Sequence, residues 1–267
     1  MAQSFVPYHV QAYNTAKDSE NKMHDDAVAR QFGFSGGLVT GVDLLAYMIH
    51  LPVARWGRAF LERGMIEGRF LKPVYDGDDL TLDADPENGT VALNLKARGQ
   101  ICASGSASLL ETAPTVDLAD YPETAPVADR RPVDDASYAI GKWLGVEPKA
   151  WPAADASAYA SDVRDSEAIY AAEGLVHPGV IQRLMNRLLV ENAVLGPWIH
   201  VGSKMQLLSP VAVGDVLTAR AKVTDAYDKK GHKFVELDAV VVADGKRAVA
   251  HCHHVAITQP RQQAAAA

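Results

Sequence analysis

An internal repeat constrains this chain more than any other feature of its sequence. The segment PVYDGDDLT at residues 73–81 recurs as PVAVGDVLT at residues 210–218, which is an offset of 137 residues (210 minus 73). The same offset relates GLVT at residues 37–40 to GLVH at residues 174–177. Two separate matches at one offset indicate a tandem duplication. The 267 residues are therefore expected to form two similar halves rather than one large domain.

Both halves predict the same order of secondary structure. A strongly apolar helix is expected at residues 42–49 in the first half and another helix at residues 179–193 in the second. Turn residues such as Gly-Asp and Asp-Gly divide the chain after each helix into four strands. The predicted strands are 65–73, 79–85, 90–97 and 100–110, then 200–209, 215–225, 233–242 and 247–257. This pattern predicts an α+β fold in which a curled antiparallel sheet wraps around a central helix, twice.

The predicted boundaries depend on the repeat and on a proline-rich stretch between the halves. The first domain is assigned to residues 1–111 and the second to residues 134–260. Residues 112–133 contain four prolines and few large apolar side chains, so they are predicted to be a linker. Residues 261–267, which end in a run of alanines, are predicted to be a disordered tail.

Composition excludes several classes of function. The net charge of −7 and the absence of basic clusters argue against a nucleic-acid partner, which requires a concentrated basic face. Residues 1–10 lack the features of a secretory signal, and the longest apolar stretch, residues 39–53, is too short to cross a membrane. Cys102 and Cys252 lack the spacing of a metal or redox motif. We therefore expect a cytoplasmic protein without a metal, and a homodimer is left open.

A polar segment in the first half resembles a known catalytic motif. Residues 19–26 read SENKMHDD and are followed by GF at residues 33–34 and GLVTG at residues 37–41. This arrangement resembles the MaoC-like family of (R)-specific enoyl-CoA hydratases, whose motif is Asp-x-Asn-Pro-x-His before a helix entered through glycine. Asn21 and His24 match that motif. Ser19 stands in place of the family's Asp and Lys22 in place of its Pro, while the acid Asp18 lies one residue earlier.

The resemblance implies a double hotdog fold and a hydro-lyase of fatty acid metabolism that acts on an acyl-CoA or acyl-carrier thioester without a cofactor. Such a reaction requires a base for water and a proton for C2, which His24 could supply with help from Asp18 or Ser19. Asn21 would orient the loop or the substrate. Backbone N–H groups at a helix entrance can stabilise the developing oxyanion. The expected substrate-binding residues there are Val39, Thr40 and Gly41.

The second half lacks this motif. The offset of 137 residues places Ser161 opposite His24 and Ala156 opposite Ser19, and neither can replace the missing group. This half is therefore predicted to be non-catalytic and to make room for the acyl chain. His177, at its helix entrance, is a candidate to line the pocket or donate a hydrogen bond to the substrate, and a structural role is the alternative. The histidines of residues 251–254 lie on a predicted strand, where alternating side chains cannot converge on one metal ion.

Two alternatives to a hydratase remain open. Asp43 lies in the first turn of the apolar helix, and some hotdog thioesterases keep a catalytic carboxylate on this helix. The chain could then be an acyl-CoA thioesterase. The missing motif Asp also leaves open a non-catalytic, acyl-binding subunit of a hydratase complex.

Overall fold

A computed structural model describes residues 5–87 and 89–261. These residues form one antiparallel sheet of eleven strands, with helices packed against it. The strands are β1 (Tyr8–Gln11), β2 (Gly64–Phe70), β3 (Asp79–Glu87), β4 (Thr90–Ala97), β5 (Gln100–Leu109), β6 (Trp143–Gly145), β7 (Lys149–Ala150), β8 (Ile199–Leu207), β9 (Val216–Lys229), β10 (His232–Ala243) and β11 (Arg247–Gln259). The helices are α1 (Asp26–Gln31), α2 (Gly41–Trp56), α3 (Arg58–Arg63), α4 (Ala153–Asp162), α5 (Ala168–Ala172) and α6 (Gly179–Val190).

The two halves join edge to edge through one pair of strands. The order across the sheet is β1-β3-β4-β5-β2-β8-β11-β10-β9-β6, and β7 pairs with β9. The junction is the antiparallel pair β2–β8, in which Glu67 faces Lys204. These two residues are separated by 137 positions, the offset of the repeat (204 minus 67). They therefore mark an approximate two-fold axis, and the predicted pairing of two similar units is confirmed.

The two repeat segments, residues 73–81 and 210–218, occupy equivalent positions. In each half an isolated bridge joins the start of the segment to the chain that enters the central helix, pairing Leu38 with Tyr75 and Leu175 with Ala212. In each turn the carboxylate of an aspartate accepts a hydrogen bond from the backbone N–H three residues earlier, at 2.9 Å for Asp78 and 2.8 Å for Asp215. The same turn chemistry thus explains why the sequence PVxxGD recurs.

The central helices are α2 and α6, and they contact each other. Helix α2 is buried on almost every side, because apolar side chains cover its whole circumference. It is longer than predicted and continues through Pro52 to Trp56, whereas α6 ends three residues before the predicted residue 193. None of the helices among the described residues is long and apolar enough to cross a lipid bilayer.

The segment between the halves packs against the second half of the sheet. The hydroxyl group of Tyr121 donates to Asp238 on β10 at 2.7 Å, and Arg220 on β9 donates to the carbonyl group of Tyr121 at 3.1 Å. Four elements that the sequence did not predict, β6, β7, α4 and α5, lie between this segment and α6. Of the predicted tail, residues 262–267 lie outside the described residues, while the backbone N–H of Arg261 donates to His232 at 3.0 Å.

Candidate active site

His24 lies at the end of a single 3-10 turn, Lys22–His24, between β1 and α1. The side chain of Asn21 caps this turn by accepting a hydrogen bond from the backbone N–H of Met23 at 3.2 Å. Asp25 then caps α1, because its carboxylate accepts from the backbone N–H groups of residues 27 and 28. The polar segment therefore supplies two consecutive helix caps, and these fix the backbone on either side of His24.

A close approach at Gly37 determines where the imidazole ring of His24 points. A Cβ atom on Gly37 would lie 2.1 Å from the carbonyl oxygen of His24, so only glycine fits there. This approach brings the carbonyl oxygen of Leu38 to 2.7 Å from Nδ1 of His24. A carbonyl oxygen can only accept, so Nδ1 carries the proton and Nε2 carries the lone pair. Nε2 is then the ring nitrogen that can act as a base, once a water replaces the side-chain N–H of Asn21 as its hydrogen-bond donor.

Burial keeps His24 neutral. Desolvation lowers the pKa of His24, while the hydrogen bond to Leu38 and the negative charge of Asp43 oppose this effect in part. The side-chain amide of Asn21 lies 3.2 Å from Nε2. The same side chain also donates to the carbonyl group of Trp198 at 3.0 Å and accepts from its N–H at 3.1 Å. Asn21 thus ties the His24 loop to the second half and orients the ring.

A cleft of about 230 Å³ lies beside His24, between the two halves. Its lining is largely apolar and comes from both repeats. The first half contributes Asn21, Met23, Phe34, Leu38, Val39, Thr40, Gly41, Leu44, Phe70 and the residues up to Val74. The second half contributes Asn186, Trp198, Ile199, His200, Val201 and Ile257. An apolar cleft with a few polar groups is the usual form of a small-molecule site.

The N-terminus of α2 opens onto this cleft through Gly41. The hydroxyl group of Thr40 caps the helix by accepting from the N–H of Asp43 at 3.3 Å. Among the described residues no acceptor pairs with the backbone N–H of Gly41. This N–H lies at the positive end of the helix dipole, where a developing negative charge is stabilised. Val39, Thr40 and Gly41 all line the cleft, and their role in binding the substrate oxygen stays a prediction.

The corresponding position in the second half has no such donor. Pro178 is 137 residues after Gly41, and proline has no backbone N–H. The next N–H, that of Gly179, donates to Nδ1 of His177 at 3.0 Å. A Cβ atom on Gly179 would meet the hydroxyl group of Tyr159 on α4 at 2.2 Å, so α4 fills this side of the helix. These contacts agree with a second half that lacks its own oxyanion site.

His177 does not line the cleft, which corrects its predicted role in substrate binding. It is fully buried, and its Nε2–H donates to Asp165 at 3.1 Å. His50 on α2 also contacts Asp165, at 3.0 Å. Burial would raise the pKa of Asp165, but the hydrogen bonds from His177 and His50 outweigh it and hold this pKa well below its usual value. His177 belongs to a hydrogen-bonded network around Asp165 that joins α2 to the second half.

Asp18 and Ser19 lie outside the apolar cleft. The hydroxyl group of Ser19 donates to the backbone carbonyl of Asn21 at 3.3 Å, within the loop. Asp18 is exposed and lines a second, more polar cleft on the outer side of the loop, which His24 also borders. Their assistance to His24 therefore stays a prediction, and it would have to operate from this outer side.

Asp43 is engaged in a buried ion pair. Its side chain is completely buried and faces Arg183 of α6, whose guanidinium group donates to Oδ1 at 3.2 Å. The hydroxyl group of Thr15 donates to Oδ2 at 2.5 Å. Asp43 does not line the apolar cleft, and both its oxygens accept hydrogen bonds. This environment is that of a residue which holds the two halves together.

Two of the histidines near the C-terminus, His251 and His253, contact neighbouring carboxylates. His251 contacts Asp238 at 2.6 Å, and His253 contacts Glu236 at 3.0 Å, both across the β10–β11 pair. His254 points to the opposite, buried face. In the part of the chain that the structure describes, no three His, Cys, Asp or Glu side chains are grouped so that they could hold a metal ion.

Comparisons with known proteins agree with this architecture. Residues 172–251 match the family described as the FAS1-like dehydratase domain region. The chain is similar to a putative MaoC domain dehydratase from Chloroflexus aurantiacus, with 13% identity over 97% of this chain and 96% of that one and a TM-score of 0.65. It is also similar to a conserved hypothetical protein from Mycobacterium tuberculosis that has a double hotdog fold, with 14% identity, 96% coverage of both chains and a TM-score of 0.66.

The chain is a double hotdog protein. Solved structures described as MaoC-like dehydratases share this fold, and the matching dehydratase-region family covers residues 172–251, in the second half. The fold is shared by proteins of other activities, since a putative oleoyl thioesterase from Lactobacillus plantarum aligns with 12% identity over 97% of this chain and 99% of that one, at a TM-score of 0.54. No curated relative matches the sequence. The double hotdog fold therefore leaves the reaction to be argued from the site.

The second-half residues that line the cleft were not predicted from the sequence. Asn186 comes from α6, Trp198 from the chain just before β8, and His200 from β8 itself. All three are far in sequence from the His24 loop. The repeat offset pairs the position of His200 with Arg63, so the comparison of the halves does not highlight it. Only the edge-to-edge join of β2 and β8 brings these side chains to the first half's helix.

Proposed function

We propose that this double hotdog protein is a hydro-lyase, which adds water to, or removes it from, the double bond of an α,β-unsaturated acyl thioester. One observation carries the proposal. The neutral His24, with its lone pair on Nε2, and the unpaired N–H of Gly41 among the described residues border the same apolar cleft. A base and an oxyanion donor on either side of an apolar slot are what the conjugate addition of water requires.

The reaction can be written with His24 as the sole acid and base. In the hydration direction, Nε2 accepts a proton from water while the water oxygen bonds to C3 of the substrate. The electron pair of the C2–C3 double bond moves toward the thioester, whose oxygen gains negative charge and accepts a hydrogen bond from Gly41. The Nε2–H of the resulting imidazolium then protonates C2. One residue therefore takes and returns the same proton, and dehydration is the reverse path.

The second half would serve as a wall for the acyl group. Its own helix entrance has Pro178 in place of Gly41, and α4 covers that side of α6. The first half's cleft instead extends onto Trp198 and Ile257. Duplication would thus have produced one working site with an enlarged acyl pocket. An acyl-CoA or acyl-carrier substrate, a role in fatty acid metabolism and a cytoplasmic location are the corresponding expectations.

A panel assay tests this proposal. Purified protein is mixed with enoyl-CoAs of increasing length while the absorbance of the conjugated thioester and the release of free thiol are followed together. Loss of the conjugated absorbance without thiol release supports the hydro-lyase. Thiol release would instead support a thioesterase. Tight binding without either change would support the acyl-binding subunit, and both results would contradict the proposal.

A further inference from the structure

A second histidine faces the helix entrance from the other half of the molecule. His200 on β8 is 5% exposed, and its Nδ1 has no hydrogen-bond partner among the described residues. A Cβ atom on Gly41 would lie 2.9 Å from this Nδ1, so the nitrogen is directed at the start of α2. His200 also lines the cleft. A buried polar atom without a partner is costly to a protein, so its position beside a candidate oxyanion site requires an explanation.

The other ring nitrogen of His200 belongs to a buried chain of hydrogen bonds. Its Nε2 lies 2.8 Å from the hydroxyl group of Ser203, which lies 2.9 Å from Nδ1 of His254. The two imidazole rings stack at 4.1 Å. Nε2 of His254 is buried and has no partner in the described part of the chain. These two rings are the only partners of the Ser203 hydroxyl group among the described residues, so its proton is satisfied only when it donates to one ring and accepts from the other, which links the two tautomers.

The linked tautomers differ in which unpaired nitrogen carries a proton. In the first arrangement Ser203 donates to His200 and accepts from His254, which leaves an N–H on Nδ1 of His200 and a lone pair on Nε2 of His254. The second arrangement leaves an unpaired N–H on His254, enclosed in the protein interior. Buried N–H groups without an acceptor are rarer than unpaired acceptors. The first arrangement is favoured, because its unpaired N–H lies beside the start of α2 on a residue that lines the cleft, whereas that of the second is enclosed in the interior.

We infer that His200 is a second oxyanion donor, whose Nδ1–H joins the N–H of Gly41 in binding the thioester oxygen. The inference rests on the proposed function and makes the second half a direct contributor to the reaction. Ser203 is a positioning residue, since it fixes the tautomer that presents the N–H.

The electrostatics of the site suit this role. Burial lowers the pKa of His200 to about 3, and a hydrogen bond to the backbone of Gly202 opposes this effect only in part. The ring is therefore neutral at any working pH and acts as a hydrogen-bond donor rather than as an acid. A neutral donor next to a helix N-terminus avoids the repulsion that an imidazolium would meet there.

Three variants test this role in the full-length protein. His200→Leu removes the donor, and His200→Asn keeps an N–H close to the position of Nδ1. Ser203→Ala removes the hydroxyl group that fixes the tautomer of His200. His253→Gln is the matched control, because His253 lies on β11 but faces the opposite side, where it contacts Glu236. The two readouts are steady-state hydration and the absorbance of bound 2,4-hexadienoyl-CoA, whose conjugated thioester shifts to longer wavelength when its carbonyl group accepts hydrogen bonds.

We expect His200→Leu to lower kcat about a hundredfold with little change in KM, which is the size expected for one oxyanion donor. His200→Leu should also lose the absorbance shift of the bound probe. His200→Asn should keep most of the wild-type kcat and most of the absorbance shift. Ser203→Ala should fall between them, and the control should match the wild type. The pH dependence of kcat should keep its shape in all variants, because His24 sets it.

The absorbance shift separates this inference from the proposed function. If the wild type shifts the bound probe but hydrates nothing, and His200→Leu abolishes the shift, the donor role stands and the hydro-lyase proposal fails. A full shift in His200→Leu would overturn the donor role. Equal losses in His200→Leu and His200→Asn would also overturn it, because packing would then explain both. A wild type that gives no shift would overturn the oxyanion site as a whole.

Discussion

The buried carboxylate of Asp43 can be tested by the substitution Asp43→Asn, which keeps its shape and removes its charge. Asp43 accepts from Arg183 at 3.2 Å and from Thr15 at 2.5 Å, and it is completely buried. Breaking one side of a buried ion pair costs about 3–5 kcal/mol, but Arg183 is partly exposed, so we expect a loss of about 2–3 kcal/mol. This loss corresponds to a fall of about 5–10 °C in the melting temperature.

The assay combines a thermal melt with turnover measured well below the melting temperature. We expect the melting temperature of Asp43→Asn to fall while kcat per folded molecule stays within about twofold of the wild type, because the carboxylate lies outside the cleft. The double variant Asp43→Asn with Arg183→Met is the control. It should recover part of the lost stability, because it removes the uncompensated charge as well.

The opposite result would refute this reasoning. If Asp43→Asn leaves the melting temperature unchanged but abolishes activity, the carboxylate takes part in the chemistry. Loss of thiol release in particular would favour the thioesterase alternative.

Three further predictions concern the His24 loop. Gly37→Ala should lower kcat at least tenfold, because its Cβ would displace His24, whereas Gly196→Ala, where no atom lies within 4 Å, should have no effect. The hydration rate should rise with pH through an apparent pKa below the usual histidine value of about 6.5 and then level off. The reason is that burial lowers the pKa of His24 and only the neutral ring is a base. A rate that still rises with pH above pH 7 would contradict this. Asp18→Asn tests the assistance predicted for Asp18: the exposure of this residue favours a change in kcat of less than about twofold, and a loss of about a hundredfold would support Asp18 as an acid or base.

The repeat made most of the fold predictable. The offset of 137 residues relates the turns, the bridges and the β2–β8 junction, because duplicated sequences keep the same turn chemistry and the same alternation of buried residues. Helix α2 was recognisable because it is apolar on all sides. The elements between residues 134 and 178 were not predicted, because they are short. The strands β6 and β7 nevertheless pair with β9 as their counterpart β1 pairs with β3.

Only the site residues that belong to a local sequence motif could be predicted. His24, Asn21, Thr40 and Gly41 were found from a motif and a helix entrance, and the structure groups them around one cleft. The structural alternative for His177 could not be chosen from the sequence, because its partner Asp165 lies in a segment whose structure was not predicted. The contribution of β8 depends on long-range strand pairing, which the local pattern of a single sequence does not encode.

The most direct test of the proposed reaction is the initial rate of hydration of but-2-enoyl-CoA by wild-type protein and by His24→Gln, with a thermal melt of each. His24 borders the cleft, and its Nε2 is the base of the proposed reaction. We predict hydration by the wild type, and in the variant a rate lower by about 10²–10⁴-fold at a nearly unchanged melting temperature. A folded His24→Gln protein that hydrates the substrate at the wild-type rate would contradict the assignment of His24 as the base.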